Sequence, residues 1–192
     1  GADWSQRAGR IAVNGPGDGF GGRSLCLSTR KIPDKGGYEL EVEVRLEDES
    51  GAAGLVFASD GGEVHYGFYP SGGQLRLTRF DGADVFSWTI MEQIQVDSYL
   101  PGEWNRIRVR VDDDGIICWV NGTREIESSD TTLRGGQVGL CNFRDTKAEF
   151  RNFRTAQRLP EDLVDDSLLT ELKEQVDEWL QTEGTTRDNL LE

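Results

Sequence analysis

One histidine, one methionine and three cysteines in 192 residues leave little for metal or nucleophile chemistry. His65 alone builds neither a Ser-His-Asp triad nor a histidine-based metal site. Cys26, Cys118 and Cys141 are odd in number and form no C-x-x-C pair. Each lies in an apolar strand-like run and reads as a small buried hydrophobe, with a Cys26–Cys141 bridge left open by spacing. Proline is sparse at 5 residues. No apolar run approaches the ~18 residues of a membrane span. Positive charge is also short: 21 Lys and Arg stand against 35 Asp and Glu, a net of −14. Nucleic acid and anionic membrane are therefore poor partners for the chain as a whole, and no nucleic-acid partner is expected.

Glycine, by contrast, is abundant at 24 residues. It punctuates about eleven short β-branched or aromatic segments, among them "SLCLSTR", "YELEVEVRL", "GLVFAS", "NRIRVRVD", "IICWVNG" and "AEFRNFRT". Asp114-Gly115 and Asn121-Gly122 supply the positive-φ positions of tight hairpins. With no helix pattern between them, these strands predict an all-β, two-sheet antiparallel sandwich over residues 1–157. Composition changes near Leu159-Pro160. Beyond it, Leu168, Leu172, Val176, Trp179 and Leu180 recur at helical spacing, with Asp166 or Ser167 as N-cap and Gly184 as stop. Residues 158–192 are thus expected to be an acidic, amphipathic helical extension that contacts another domain or chain. The ending "RDNLLE" opens a further apolar pattern, so the expectation is a linker to a further domain.

Several motifs have a plain alternative. "GPGDGFGG" matches G-x-G-x-x-G at Gly17, Gly19 and Gly22, but a strand follows where a dinucleotide site needs a helix, so it reads as a loop. "DDDG" at 112–115 lacks the spaced ligands of a calcium loop and reads as a hairpin turn, leaving a structural calcium open and no other cofactor implied. Asn121-Gly122-Thr123 is a formal glycosylation acceptor explained equally by its turn. In "YELEVEVRL", Glu39, Glu41 and Glu43 share one strand face, and Leu40, Val42 and Val44 share the other. "NRIRVRV" offers Arg106, Arg108 and Arg110 as a matching ladder, which predicts the acids on a solvent face, paired across strands. Between residues 64 and 88 aromatics and arginines concentrate. His65 and Tyr69 share a face opposite the core pair Tyr66 and Phe68, and with Arg79 and Trp88 they form the candidate ligand-binding set. Trp88 and Tyr69 would stack on a sugar ring while the Arg79 fork orients it.

"PGEWNRIRVRVDDDGIICWVNGTRE", with Trp104, Trp119, Asn121 and Gly122 as landmarks, resembles a segment of laminin-G-like and concanavalin A-like jelly rolls. "GGQVGL" and "FRNFR" resemble their closing strands, and the bacterial 3-keto-disaccharide hydrolase domain family is similar in the same places. The resemblance spans residues 4–157 and implies a jelly roll with lectin-like or glucanase-like relatives. "ELEVE" resembles the Glu-x-Asp-x-Glu strand of laminarinase-like glucanases, with Glu41 where Asp is expected. It falls on an early strand, however, and three unflanked acids facing water lack the split pKa values that acid and base roles require. No catalytic and no metal residues are therefore assigned. The leading expectation is a non-catalytic module that binds glycan, exported to periplasm or exterior. A glycoside-active enzyme of the 3-keto-disaccharide hydrolase type is the alternative, and a ligand-free spacer the third reading.

Overall fold

The strand 38–46 alternates as its sequence does. In a computed structural model describing residues 1–160 and 172–179, Leu40, Val42, Val44 and Leu46 are all buried on its inner side. Thirteen strands occur among the described residues: β1 (Asp3–Arg7), β2 (Arg10–Asn14), β3 (Ser24–Ile32), β4 (Tyr38–Leu46), β5 (Ala52–Ser59), β6 (Val64–Ser71), β7 (Gln74–Asp81), β8 (Trp88–Ile94), β9 (Asn105–Asp112), β10 (Gly115–Val120), β11 (Thr123–Ser128), β12 (Gly136–Phe143) and β13 (Ala148–Ala156). They form two antiparallel sheets, seven strands in the order β1-β2-β13-β4-β9-β10-β11 and six in the order β3-β12-β5-β6-β7-β8. The fold is the expected jelly-roll sandwich. Leu40, Val42, Ile107, Val109 and Phe150 of the first sheet pack with Leu55, Phe57, Tyr66, Phe68 and Leu77 of the second. Cys118 and Cys141 are buried, Cys26 is partly buried, and all three are free thiols. The chain divides into two units, Gly1–Leu159 and Pro160–Glu192. In the second, residues 172–179 are helical (α1), with Leu172, Val176 and Trp179 exposed along one stripe. The expected caps Asp166, Ser167 and Gly184, and the apolar Leu168 and Leu180, lie outside the described residues.

The Glu–Arg ladder forms in the expected register: Glu39, Glu41 and Glu43 of β4 oppose Arg110, Arg108 and Arg106 of β9. Two of the three acids do not face solvent, however, and Glu43 is only partly exposed. Glu39 is 0% exposed and Glu41 4%. Glu39 accepts from Arg108, from Arg110 Nε at 2.5 Å and from the Leu159 backbone N–H at 2.7 Å. Glu41 pairs with Arg154, and Glu43 with Arg151 Nε at 2.7 Å. A bulge in β13 between Arg151 and Arg154 brings both arginines to this side. Asn152 makes it, at a φ of 56° that asparagine tolerates, and its amide donates to Glu43 at 2.6 Å. Arginines from β13 and the chain beyond it close over the acids, and that third layer is what the two-strand ladder reading lacked. Trp104 and Trp119 are covered in the same way. Arg151 lies 4.2 Å and Arg45 5.1 Å from the Trp104 ring centroid, and Arg110 lies 5.2 Å from that of Trp119.

Burial pushes the Glu39 carboxyl upward, but its bonds from Leu159, Arg110 and Arg108 win and hold it below the ordinary range. A depressed folded pKa stabilises the fold above the unfolded value of 4.5, and that stability disappears as pH falls through the folded pKa. Glu39→Gln should therefore cost about 3 kcal/mol at pH 7, since it removes the buried charge that Arg108 and Arg110 share. In urea titrations the gap between wild type and variant should narrow as pH drops below the ordinary carboxylate range. A gap that stays constant down to full protonation would contradict this account.

Candidate functional site

The outer face of the six-stranded sheet is built differently. Strand alternation turns His65, Gly67, Tyr69 and Ser71 outward from β6 while Tyr66 and Phe68 enter the core. Opposite them, β7 turns out Phe80, Thr78 and Arg76, and β8 adds Trp88 and Ile90. Phe143 and Cys141 of β12 complete a second apolar cluster with Ala52, Val56, Tyr69 and Phe80. The rings interlock. His65 stacks on Phe80 at 4.4 Å, Phe80 stacks on Phe143 at 5.5 Å, Tyr69 tilts against Phe143 at 4.8 Å, and Trp88 meets Phe80 edge-on at 4.9 Å. Tyr69 lies flat because Gly67 has no side chain. A Cβ there would sit 3.0 Å from Cε1 of the tyrosine ring.

His65, Tyr69 and Trp88 thus share one face. Arg79 does not join them. It stands directly opposite Tyr66 and points to that residue's side of the sheet, where it pairs with Asp81 and with Asp130 at 2.5 Å. Tyr66 Oη donates to the same Asp130, so Arg79 is tied into a network at the sandwich end. Asp130 lies 51 residues from Arg79 in a polar loop, which is why alternation near residue 79 could not reveal the tie.

Two of the three that do share the face are closed off. His65 is 0% exposed, and burial pushes its pKa down to about 4 despite the bond to the Tyr66 carbonyl. Tyr69 is 5% exposed, its hydroxyl is bonded to Thr78 at 2.9 Å, and burial raises its pKa to about 12. The open aromatic platform expected from these two is thus a packed floor. Trp88 is only partly buried.

What covers the floor is the loop "GPGDGFGG". Gly21 carbonyl accepts from Arg144 N–H at 2.7 Å, and Phe20 packs edge-on to Trp88 at 5.7 Å. Arg23 then runs inward, 4% exposed, 5.4 Å from the Phe80 ring centroid and 5.6 Å from that of Trp88, and pairs with Glu63. The glycine spacing that imitates a nucleotide loop has a steric cause instead. Gly22 sits at a φ of +71°, and a Cβ there would lie 2.9 Å from Arg144 backbone atoms. Of the roles the sequence left unassigned, Phe143 was legible from its period-two relation to Cys141. Phe20, Arg23 and Arg144 were not, because nothing local marks a loop that folds back over a sheet.

Beyond this cover the face stays open towards its β8 edge. Phe20 and Ile90 are 54% and 51% exposed, and Phe86, on the turn entering β8, is 97% exposed. Gln74 and Gln93 are hydrogen-bonded to each other beside Arg76. No cluster of three or more His, Cys, Asp or Glu suited to a metal occurs among the described residues. A separate groove of about 610 Å³ runs past Asn14, Arg45, Glu47, Lys147 and Glu149. Its charges are already matched, Arg45 with Glu149 and Lys147 with Glu47.

This architecture is a two-sheet antiparallel jelly-roll sandwich. The chain belongs to the 3-keto-alpha-glucoside-1,2-lyase-like domain family, whose profile matches residues 3–156. Among solved structures it is similar to the carbohydrate-binding module CBM66 from Bacillus subtilis, with a TM-score of 0.68 and 17% identity over 81% of this chain and 91% of that one. A Bacillus subtilis protein of unknown function with a galectin-like fold gives 0.62 and 14% identity over 84% and 88%. A putative glycosyl hydrolase from Parabacteroides distasonis gives 0.53 and 13% over 80% and 89%. No curated protein matches the sequence.

The loop's closure is testable with two alanine substitutions. Gly22 and Gly72 both have positive φ, but only Gly22 would clash. Gly72→Ala should cost about 1 kcal/mol from backbone strain alone. Gly22→Ala should cost about 1–3 kcal/mol more and speed hydrogen exchange of the Arg144 amide. Equal costs would mean that the loop does not seal this face.

Proposed function

We propose that this domain is a non-catalytic glycan-binding module whose ligand lies on the outer face of the six-stranded sheet, at its β8 edge. The observation that carries the reading is a contrast between the two outer faces. On the seven-stranded sheet the β4 acids have arginine partners, and the rings of Trp104 and Trp119 carry guanidinium groups. On the six-stranded sheet, exposed apolar surface at Phe20, Phe86 and Ile90 adjoins Trp88 and the polar planes of Gln74, Arg76 and Gln93. Sugar rings present apolar C–H faces beside hydroxyls, and a surface pairing aromatics with forked donors is complementary to both. In this reading Trp88 touches the ligand, while His65 and Tyr69 hold the floor beneath it.

The family description favours a second reading, a lyase acting on a 3-keto-glucoside. Such an elimination needs a base to take the proton beside the ketone. Glu39, Glu41 and Glu43 are committed to arginines. His65 is fully buried with its Nε2 turned to Arg23 at 3.4 Å. The binding reading is therefore preferred.

Affinity electrophoresis through gels containing soluble glycans, with a 3-keto-glucoside turnover assay beside it, separates the readings. Phe86→Ala should weaken binding by about 1 kcal/mol, and Trp88→Ala by about 1–2 kcal/mol, the usual range for lost ring contacts. Phe86→Ala should leave the melting temperature unchanged, since the ring is almost fully exposed. Trp104→Ala should do the reverse, lowering stability with binding retained. Turnover of the 3-keto-glucoside by wild type, or binding indifferent to Phe86 and Trp88 yet lost with Trp104, would overturn the proposal.

A further inference from the structure

A chain with 35 acids and 21 cations offers almost every arginine a carboxylate. Among the described residues, Arg7, Arg30, Arg76 and Arg144 make no ion pair. Arg7 and Arg30 are exposed on β1 and β3, and neither adjoins a residue of the outer aromatic cluster in sequence. Arg76, partly buried, and Arg144, exposed, are another matter, because both border the ring cluster of Tyr69 and Phe143. Arg76 stands directly opposite Tyr69 in the β6–β7 ladder, and Arg144 follows Phe143, whose ring leans on that of Tyr69.

Neither guanidinium is placed by an anion. Arg76 is partly buried, and its Nε is shielded from solvent with no protein acceptor. Arg144 donates Nη1 to the neutral Ser50 carbonyl at 2.6 Å. Its backbone is held at a φ of 57°, unfavourable for a residue with a Cβ, by the bond from its N–H to Gly21. On the same side of β6, Ser71 is 1% exposed and its Oγ is likewise without a partner. A shielded donor left unbonded is costly, and two like charges on one ring cluster repel. An anion reached by both side chains would relieve both costs. The two cations also act together on the Tyr69 hydroxyl, each opposing the rise that burial causes.

We infer that Arg76 and Arg144 form an anion subsite on the outer face of the six-stranded sheet, and that the saccharide bound there carries carboxylates, as an oligouronate does. The inference rests on the glycan-binding reading and narrows its ligand class. Guanidinium forks match carboxylate geometry two bonds at a time, which a neutral hydroxyl does not. The acidic remainder of the chain repels a polyuronate, so recognition is confined to this local reversal of sign.

Calorimetry on the full chain tests this with matched pairs: β-1,4-linked tetraglucuronate against cellotetraose, which differ only at C6, then α-1,4-linked tetragalacturonate and a sulfated tetrasaccharide. The expected result is an oligouronate that binds at least tenfold tighter than its neutral counterpart and weakens with added salt. Arg76→Gln should lose that margin, as should Arg144→Asn, chosen because asparagine tolerates the left-handed backbone. Arg76→Lys, which keeps the charge and the fold but loses the fork, should recover only part of it. Cellotetraose bound as tightly as tetraglucuronate, with the arginine variants unchanged, overturns the anion subsite and leaves the glycan reading standing. Tetraglucuronate binding that ignores both arginines also overturns it. A sulfated tetrasaccharide preferred over every uronate overturns the carboxylate assignment. Failure of the whole panel to bind overturns the subsite and the glycan reading together.

Discussion

A carboxylate with no solvent contact has to be fully bonded by the protein, and Glu39 is one. Its oxygens take Arg108, Arg110 and the Leu159 N–H, three donors that arrive from β9 and from the chain just after β13. The register of β4 against β9 is thereby coupled to the path of the chain leaving the sandwich. A one-residue slip would turn Glu39 into the core and Leu40 out of it. Buried ion pairs stabilise little compared with apolar side chains of the same volume, but they penalise every arrangement that leaves a charge alone. Here they specify one arrangement of the seven-stranded sheet.

That arrangement also uses up the sheet's outer surface. Arginines that neutralise the β4 acids lie over the faces of Trp104 and Trp119 at the same time, so two large aromatic side chains that look available in sequence are occupied in the fold. The six-stranded sheet reaches a different balance. Its outer face buries an aromatic floor beneath a glycine-rich loop, yet leaves the β8 edge apolar and exposed, with two arginines that have no acid. One face is closed by its own chemistry and the other is incomplete. Functional assignment follows from that asymmetry, since the fold is shared by proteins of many kinds.

Period-two patterning made most of this legible from the sequence. It placed Leu40, Val42 and Val44 inside, put Tyr66 and Phe68 opposite His65 and Tyr69, and aligned the β4 acids with the β9 arginines. It failed where side chains depend on partners far along the chain. Nothing in "YELEVEVRL" reveals that Arg154 and Leu159 close over the acids, because the Asn152 bulge that redirects β13 has no local signature. The polar edge strands β1 and β11 lack apolar alternation and were invisible for that reason. "DVFSWTI" has the composition of a single strand but opens with a turn at Val85–Ser87, capped by Asp84 accepting from Phe86 and Ser87 N–H, so β8 starts only at Trp88. That turn is what leaves Phe86 in solvent.

The central claim is that ligand meets the outer face of the six-stranded sheet and not that of its partner sheet. Heteronuclear NMR of the full chain during titration with a bound oligosaccharide tests it most directly, because indole N–H signals report Trp88 separately from Trp104 and Trp119. The account predicts movement of the Trp88 indole and of backbone amides at Arg76, Ile90, Gln93 and Arg144, with Trp104, Trp119 and the β4 amides still. Movement concentrated at Trp104, at Trp119 or along the groove between Asn14 and Lys147 would contradict it.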